Sequence, residues 1–205
     1  MMDIPSSKVL FGAVAFVLTF AAFYPYMRSI LRGETRAHVF SWVIWSAVTF
    51  IVFIAQMSDG AGIGAWPIGL SGIITISVAV LAYVKRGDTT IVPLDWVFLG
   101  LALCAPPLWV VTDTALSAVV LLTFLDLVGF GPTVRKAYQA PYEENALFFS
   151  IGALRNFFVL LALENYSWTT VLFPAAVGAA CVLFVGLILA RRRVLADAQS
   201  LTGRP

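Results

Sequence analysis

Apolar positions in this chain fall in long unbroken runs, with neither the strict alternation of a half-buried strand nor a single helical stripe. Uncharged runs cover residues 9–27, 39–58, 60–84, 96–112 and 165–190. Two further runs appear if one polar interruption each is tolerated, 114–134 around Asp126 and 146–163 around Arg155. A helix needs about 20 residues to cross the hydrocarbon core, so the pattern predicts seven transmembrane helices, the fourth carrying Pro106 and Pro107. Backbone groups in lipid must be satisfied within their own element, which leaves helices or a closed barrel, and runs without alternation exclude the barrel. The expected fold class is all-α. The first run also has the length of a signal-peptide core, but its leader holds only Asp3 and Lys8, and cleavage would delete half of a repeat described below. It is read as a helix.

Composition places these helices in a membrane: of 205 residues, 60% are apolar and 12% charged, and the mean hydropathy is +0.93. A net charge of +2 spread over loops gives no nucleic-acid footprint. Cys104 and Cys181 both fall inside spans, where packing is a better account of them than a disulfide. Lys and Arg sort strongly by loop. Arg28, Arg32, Arg36, Lys85, Arg86, Arg135, Lys136, Arg191, Arg192, Arg193 and Arg204 share one side, and Lys8 alone marks the other. With Arg155 inside the membrane, that split predicts an outside N-terminus and a cytoplasmic C-terminus, as expected of a multi-pass protein of the cell membrane. Membrane lipids are then expected partners. Self-association is left open.

A shift of 107 residues superposes Phe23 on Phe130, Pro25 on Pro132, Arg28 on Arg135, Phe50 on Phe157 and Pro67 on Pro174 without a gap. It also places Lys85-Arg86 on Arg192-Arg193. The identities concentrate at helix ends and prolines, where chance apolar matching contributes least. We read two three-helix units, about 9–86 and 115–193, joined by a linker helix over about 94–112 and followed by a short tail, 194–205. Because an odd helix separates them, the units share one orientation, which makes them parallel repeats within a single membrane domain.

On these residues the chain resembles the SWEET and PQ-loop superfamily of seven-helix transporters, whose plan is three helices, a linker and three more. Pro25 and Pro132 match the proline near the cytoplasmic end of the first helix of each unit, with Tyr26 and Thr133 where the family often has glutamine. Asn156 in LRNFF matches an asparagine of the sixth helix. Pro67 and Pro174 match prolines that open the third and seventh helices, followed here by Ile68 and Ala175 rather than asparagine. The resemblance implies a small-solute transporter. Bacterial nicotinamide-riboside transporters and the ER retention-signal receptor are similar in plan, so the same fold also accommodates a receptor.

Asp126 lies nine residues before Arg135, about 13 Å along a helix, and Arg155 lies 11 residues past Glu144, about 16 Å. Their depths match, and an unpaired charge near the bilayer centre costs about 2.5–3.5 kcal/mol on insertion scales, so the two are expected to pair. The pair has two readings, a structural ion pair between the fifth and sixth helices or a coupling and gating device. Asn156 diverges from Arg155 by about 100° and faces other neighbours. Trp42, Trp45, Ser46 and Thr49 share one side of the second helix, and the repeat makes Thr49 equivalent to Asn156. Indole faces from one unit and an amide from the other would suit a sugar, a nucleoside or another ring-shaped solute. The alternatives are an interfacial anchor for Trp42 and hydroxyls bonded to their own helix for Ser46 and Thr49.

Pro25 and Pro132, with Gly129 and Gly131 beside the latter, predict bends at the basic ends of the first and fifth helices, either an inner gate or plain terminators. The glycines of GAGIGAW (60–66) follow no strand and precede no phosphate-binding lysine, so a nucleotide loop is not expected there. Glu164, Asn165, Tyr166 and Trp168 form an outer rim, either an entrance or a solvated loop with an aromatic belt. His38 is the only histidine, and no metal, cofactor or catalytic set is expected. The expectation is therefore a transporter or facilitator working by alternating access, with a non-transporting membrane receptor or assembly partner as the alternative and enzyme activity not expected.

Overall fold

The computed structural model describes residues 6–33, 37–142 and 144–202. Arg36 and Arg204, two of the basic markers, lie outside the described residues, as do the side chains of Pro132 and Lys136. The chain is helical throughout. Among the described residues there is no strand, only an isolated bridge between His38 and Asp88. The helices are α1 (Ser6–Leu31), α2 (Val39–Ser58), α3 (Trp66–Val84), α4 (Pro93–Thr112), α5 (Ala115–Gly129), α6 (Gly131–Gln139), α7 (Ala146–Ala162) and α8 (Trp168–Thr202), and a short 3-10 turn, Gly62–Ala65, leads into α3. Six segments are long and apolar enough to cross a membrane, with α5 and α6 counting as one; α7, at 17 residues, is shorter.

The outer surface is far more apolar than that of a water-soluble bundle. Val110 and Val111 on α4 are 80% and 84% exposed and Leu183 on α8 is 74% exposed, whereas Thr19, Gln56, Ser71, Thr123, Asn156 and Thr170 are buried. Large apolar side chains thus cover the outer surface, where lipid would meet them, while these polar ones lie inside among a core that is itself mostly apolar. Since lipid is as apolar as leucine, such helices associate through close packing, and small residues let their backbones approach. Ala15, Ala55, Ala102, Ala105, Ala118 and Ala162 are all fully buried. α3 packs against both α1 and α2, α8 packs against both α5 and α7, and the two groups meet where α1 lies on α7 and α2 lies on α5. α4 packs against α2 and α5.

Two departures from the sequence expectation have local causes. α8 continues through Arg191–Arg193 to Thr202 instead of ending near 190, because its next helix breaker is Gly203. The expected bends are also unequal: α1 runs uninterrupted through Pro25, whereas α5 stops at Gly129 and α6 starts at Gly131. Both prolines remove a backbone donor, but only the second is flanked by glycines that relax the turn. At the break the Phe130 N–H reaches back to the Leu127 carbonyl at 3.1 Å, a tighter turn than α-helix.

His38 caps α2. Its Nδ1 accepts from the Ser41 N–H at 3.3 Å, which leaves the Nε2–H to donate to the Thr90 carbonyl. With Val39 N–H donating to Asp88 O at 2.9 Å and Asp88 N–H to Ala37 O at 3.0 Å, this ties the segment before α2 to the segment before α4.

Candidate functional site

A cavity of about 240 Å³ lies between the α1–α3 group and the α5–α8 group. α5 presents Asp126 to it, α7 presents Arg155 and Asn156, and α2 presents Trp42, Trp45 and Thr49. α3 adds Ser71 and Thr75, and α8 adds Phe173, Val177 and Cys181. The structure therefore brings both intramembrane charges, the amide and most of the tryptophan stripe to one hollow. Ser46 is buried and is not part of the lining; it sits at the edge of the stripe, about 60° around the helix from Thr49. Thr49 lines the hollow while its hydroxyl donates to the Trp45 carbonyl at 2.6 Å, the local bonding that was its alternative reading.

Asp126 and Arg155 share the hollow but do not form an ion pair. The Arg155 guanidinium turns toward the other helix group, where Nε donates to Thr19 Oγ1 at 3.0 Å and one terminal nitrogen donates to the Pro67 carbonyl at 3.1 Å. Thr19 is fully buried and its hydroxyl donates to the Ala15 carbonyl at 2.8 Å. Sequence spacing gave the depth of Arg155 but not these partners, which are uncharged. Asn156 is 1% exposed and donates its amide nitrogen to the Gly152 carbonyl at 2.9 Å, leaving Oδ1 as an acceptor without a protein partner. Ser71 Oγ is likewise buried and without one. Unpaired buried acceptors are uncommon because each forfeits about 1–3 kcal/mol; of the three among the described residues, two belong to residues that line this cavity and the third, Gln56 Oε1, lies elsewhere.

At the basic end the hollow adjoins a larger one of about 520 Å³, bordered by Pro25, Tyr26, Ser29 and Glu144. Phe23, Trp42, Trp45, Phe148 and Phe149 line both and form the partition. Their rings touch in series: Trp45–Trp42 at 5.1 Å, Trp42–Phe23 at 6.3 Å, Phe23–Phe148 at 6.3 Å and Phe148–Phe149 at 5.2 Å. Phe149 continues to Phe130 at 6.2 Å and to Phe184 at 4.4 Å. Sequence reasoning missed this layer apart from the tryptophans and Phe23; the signal available was that the 107-residue shift sets Trp42 on Phe149. Each ring contact contributes about 0.5–1.5 kcal/mol, so the layer between the two hollows is cheap to part. Gly129 lines the cavity beside Trp45, while Gly131 has no neighbour close to where a Cβ would be.

The opposite end is closed by hydrogen bonds between loops. Glu164 accepts from the Ile63 N–H at 2.8 Å and donates its own N–H to the Ala61 carbonyl at 3.1 Å. Asn165 donates to the Asp59 carbonyl at 2.7 Å, Ser167 donates to the Asp59 carboxylate, and buried Gln56 donates to the Thr170 carbonyl at 2.9 Å. Lys8 bonds the Leu163 carbonyl. The glycines of GAGIGAW serve this clasp: Gly62 has φ +60°, and a Cβ there would strike the Glu164 carboxylate. Of the four rim residues, Glu164 and Asn165 belong to the clasp, while Tyr166 and Trp168 are 59% and 72% exposed.

Comparison with known proteins gave no match: no family model, no curated protein and no solved structure matches this chain.

Proposed function

We propose that this chain is a multi-pass membrane transporter or facilitator that moves a small polar solute between two three-helix units by alternating access. The observation that carries the reading is a hollow between the two helix groups, lined mainly by apolar side chains with two opposite charges and a few polar groups among them, with loop-to-loop hydrogen bonds toward one end and a layer of edge-to-face rings toward the other. A purely structural ion pair has no use for such a chamber, and here the two charges are not bonded to each other. With α7 as a seventh, short crossing, the N-terminus lies outside and the arginine-rich ends lie in the cytoplasm. The conformation then has its outer end shut.

Several features support the parallel repeat. Exchanging α1, α2 and α3 for α5, α7 and α8 preserves the main contacts within each unit, α1 and α2 on α3 against α5 and α7 on α8, and maps the crossed contacts of α1 with α7 and α2 with α5 onto each other, while α4 packs on α2 and α5. The ring pair Phe23–Trp42 recurs 107 residues later as Phe130–Phe149, at 6.3 and 6.2 Å with interplanar angles of 67° and 60°. In this reading Trp45 and Asn156 contact solute, Asp126 and Arg155 couple or gate, and the break at Gly129–Gly131 opposite an unbroken α1 confines bending to the second unit. Asp126 is the group placed to carry a proton through the cycle.

Uptake into proteoliposomes tests the proposal. A panel of radiolabelled sugars, nucleosides and amino acids should contain a solute that enters faster than into empty vesicles, with Asn156→Ala slowing entry about tenfold or more. No entry above empty vesicles, or a binding ligand without flux, would leave the fold as that of a receptor.

A further inference from the structure

We infer that the solute is a small zwitterion with an ammonium group and a carboxylate, of the size and kind of a neutral α-amino acid. This inference deepens the transport reading and rests on it for the word solute, but the binding chemistry stands on the cavity alone.

The argument begins with charge. Asp126 and Arg155 present opposite charges to one hollow without bonding each other. An anion admitted there would face Asp126, a cation would face Arg155, and a sugar or nucleoside, the class suggested by the tryptophan stripe, would offer neither charge a partner of opposite sign beyond the attraction the two already exert on each other across the hollow. In a low-dielectric interior an unanswered charge is expensive, and a solute carrying both signs answers the two together while keeping the loaded site neutral.

Donors and acceptors give the orientation. An ammonium offers three N–H donors and no acceptor. Asp126, Asn156 and Ser71 are among the lining residues, and Asn156 Oδ1 and Ser71 Oγ, buried behind the cavity wall without a protein partner, are the acceptors that a small side-chain rotation would turn to an ammonium beside the Asp126 carboxylate. The amide assignment is fixed by chemistry, since only the nitrogen of Asn156 can donate to the Gly152 carbonyl. Arg155 spends Nε on Thr19 and one terminal nitrogen on Pro67, so its other terminal nitrogen remains for a carboxylate. Size and the remaining walls set the rest of the molecule. At about 240 Å³ the hollow exceeds the roughly 150 Å³ that holds a benzene ring and falls short of the 300 Å³ or more of a drug-sized pocket. Phe130, Phe148, Phe149, Phe173 and Val177 offer only apolar contact, which suits an uncharged side chain.

Binding to the purified full-length protein in detergent tests this, with L-valine, L-leucine and L-phenylalanine as probes against their methyl esters, their N-acetyl derivatives and glucose. Titration calorimetry should show at least one free amino acid binding about ten- to a hundredfold tighter than its ester and its N-acetyl form. Asp126→Asn should shift preference toward the N-acetyl form, which lacks the cation, and Arg155→Gln toward the ester, which lacks the anion. A variant that binds the altered probe is thereby shown to be folded. Equal binding of the amino acid and both blocked forms, binding of glucose alone, or no binding of any amino acid overturns the inference. Glucose uptake without amino-acid binding would overturn it while leaving transport intact; amino-acid binding without flux would uphold it and remove transport.

Discussion

Thr19→Val separates an arginine held by the opposite helix group from one that merely lies near it. Valine keeps the branched shape of threonine and removes the one acceptor that Arg155 Nε uses, at 3.0 Å. A hydrogen bond to a charged group is worth about 1.5–3 kcal/mol, and Thr19 is fully buried, so water cannot replace it from the lipid side. The bond that Thr19 makes to the Ala15 carbonyl is a weak local one and adds little. For a chain of this length each kcal/mol moves the midpoint about 2–4 °C, which predicts a loss of about 3–12 °C. Six tryptophans give a fluorescence signal for thermal unfolding in micelles. A double-mutant cycle with Asp126→Asn sharpens the test: with Thr19 gone, the guanidinium turns to Asp126 for support, so the combined loss should exceed the sum of the single losses by at least about 0.5 kcal/mol. A midpoint within 1 °C of the parent, with additive losses, would refute the claim that Thr19 anchors Arg155.

Two further outcomes probe the ends of the hollow. Gly64→Ala would place a Cβ 2.7 Å from the Leu163 backbone nitrogen and 2.8 Å from its Cα, where no side-chain rotation gives relief; it should destabilise by about 1–3 kcal/mol in thermal unfolding, whereas Gly100→Ala, with nothing within 4 Å, should stay near the parent. In a Cys104→Ser background, a membrane-impermeant methanethiosulfonate should label Cys181 from the arginine-rich side and not from the Lys8 side, and faster in Phe149→Ala; equal labelling from both sides would show that the loop clasp does not seal.

Much of the frame was legible because a bilayer permits few solutions: unbroken apolar runs became helices, and polar residues on their inner faces met. Three-and-four spacing put Trp42, Trp45 and Thr49 on one side of a helix, and all three line the hollow that Asp126 and Arg155 also border. The expected bond between those two failed because charge is the only partner visible in a sequence. Thr19 and the Pro67 carbonyl are neutral acceptors on other helices, and nothing in local spacing marks them. The same limit hid Phe148 and Phe149, ordinary apolar residues until five helices bring their rings into one layer. Pro25 shows a third limit. Proline removes a donor wherever it stands, but whether a helix breaks there depends on flanking residues, and α1 continues with Ala22 and Tyr24 where α5 parts at Gly129 and Gly131.

On the proposed repeat, what is duplicated and what is not divide the work. The rings recur, Phe23–Trp42 matching Phe130–Phe149, so each unit contributes a comparable share of the inner partition. The charges do not: 107 residues before Asp126, Arg155 and Asn156 stand Thr19, Val48 and Thr49. Arg155 therefore belongs to the second unit while both of its anchors, Thr19 and the Pro67 carbonyl, belong to the first. It is a cross-link between the two units, which under the proposed alternating access would separate at the outer end. Under the proposed binding a solute carboxylate would compete for the same guanidinium, and each hydrogen bond it drew away would weaken the tie between α7 and the α1–α3 pair. Occupancy and outer opening would then be coupled through one side chain, by a differential affinity of the two arrangements for the loaded site, which is the only way a ligand can shift such an equilibrium.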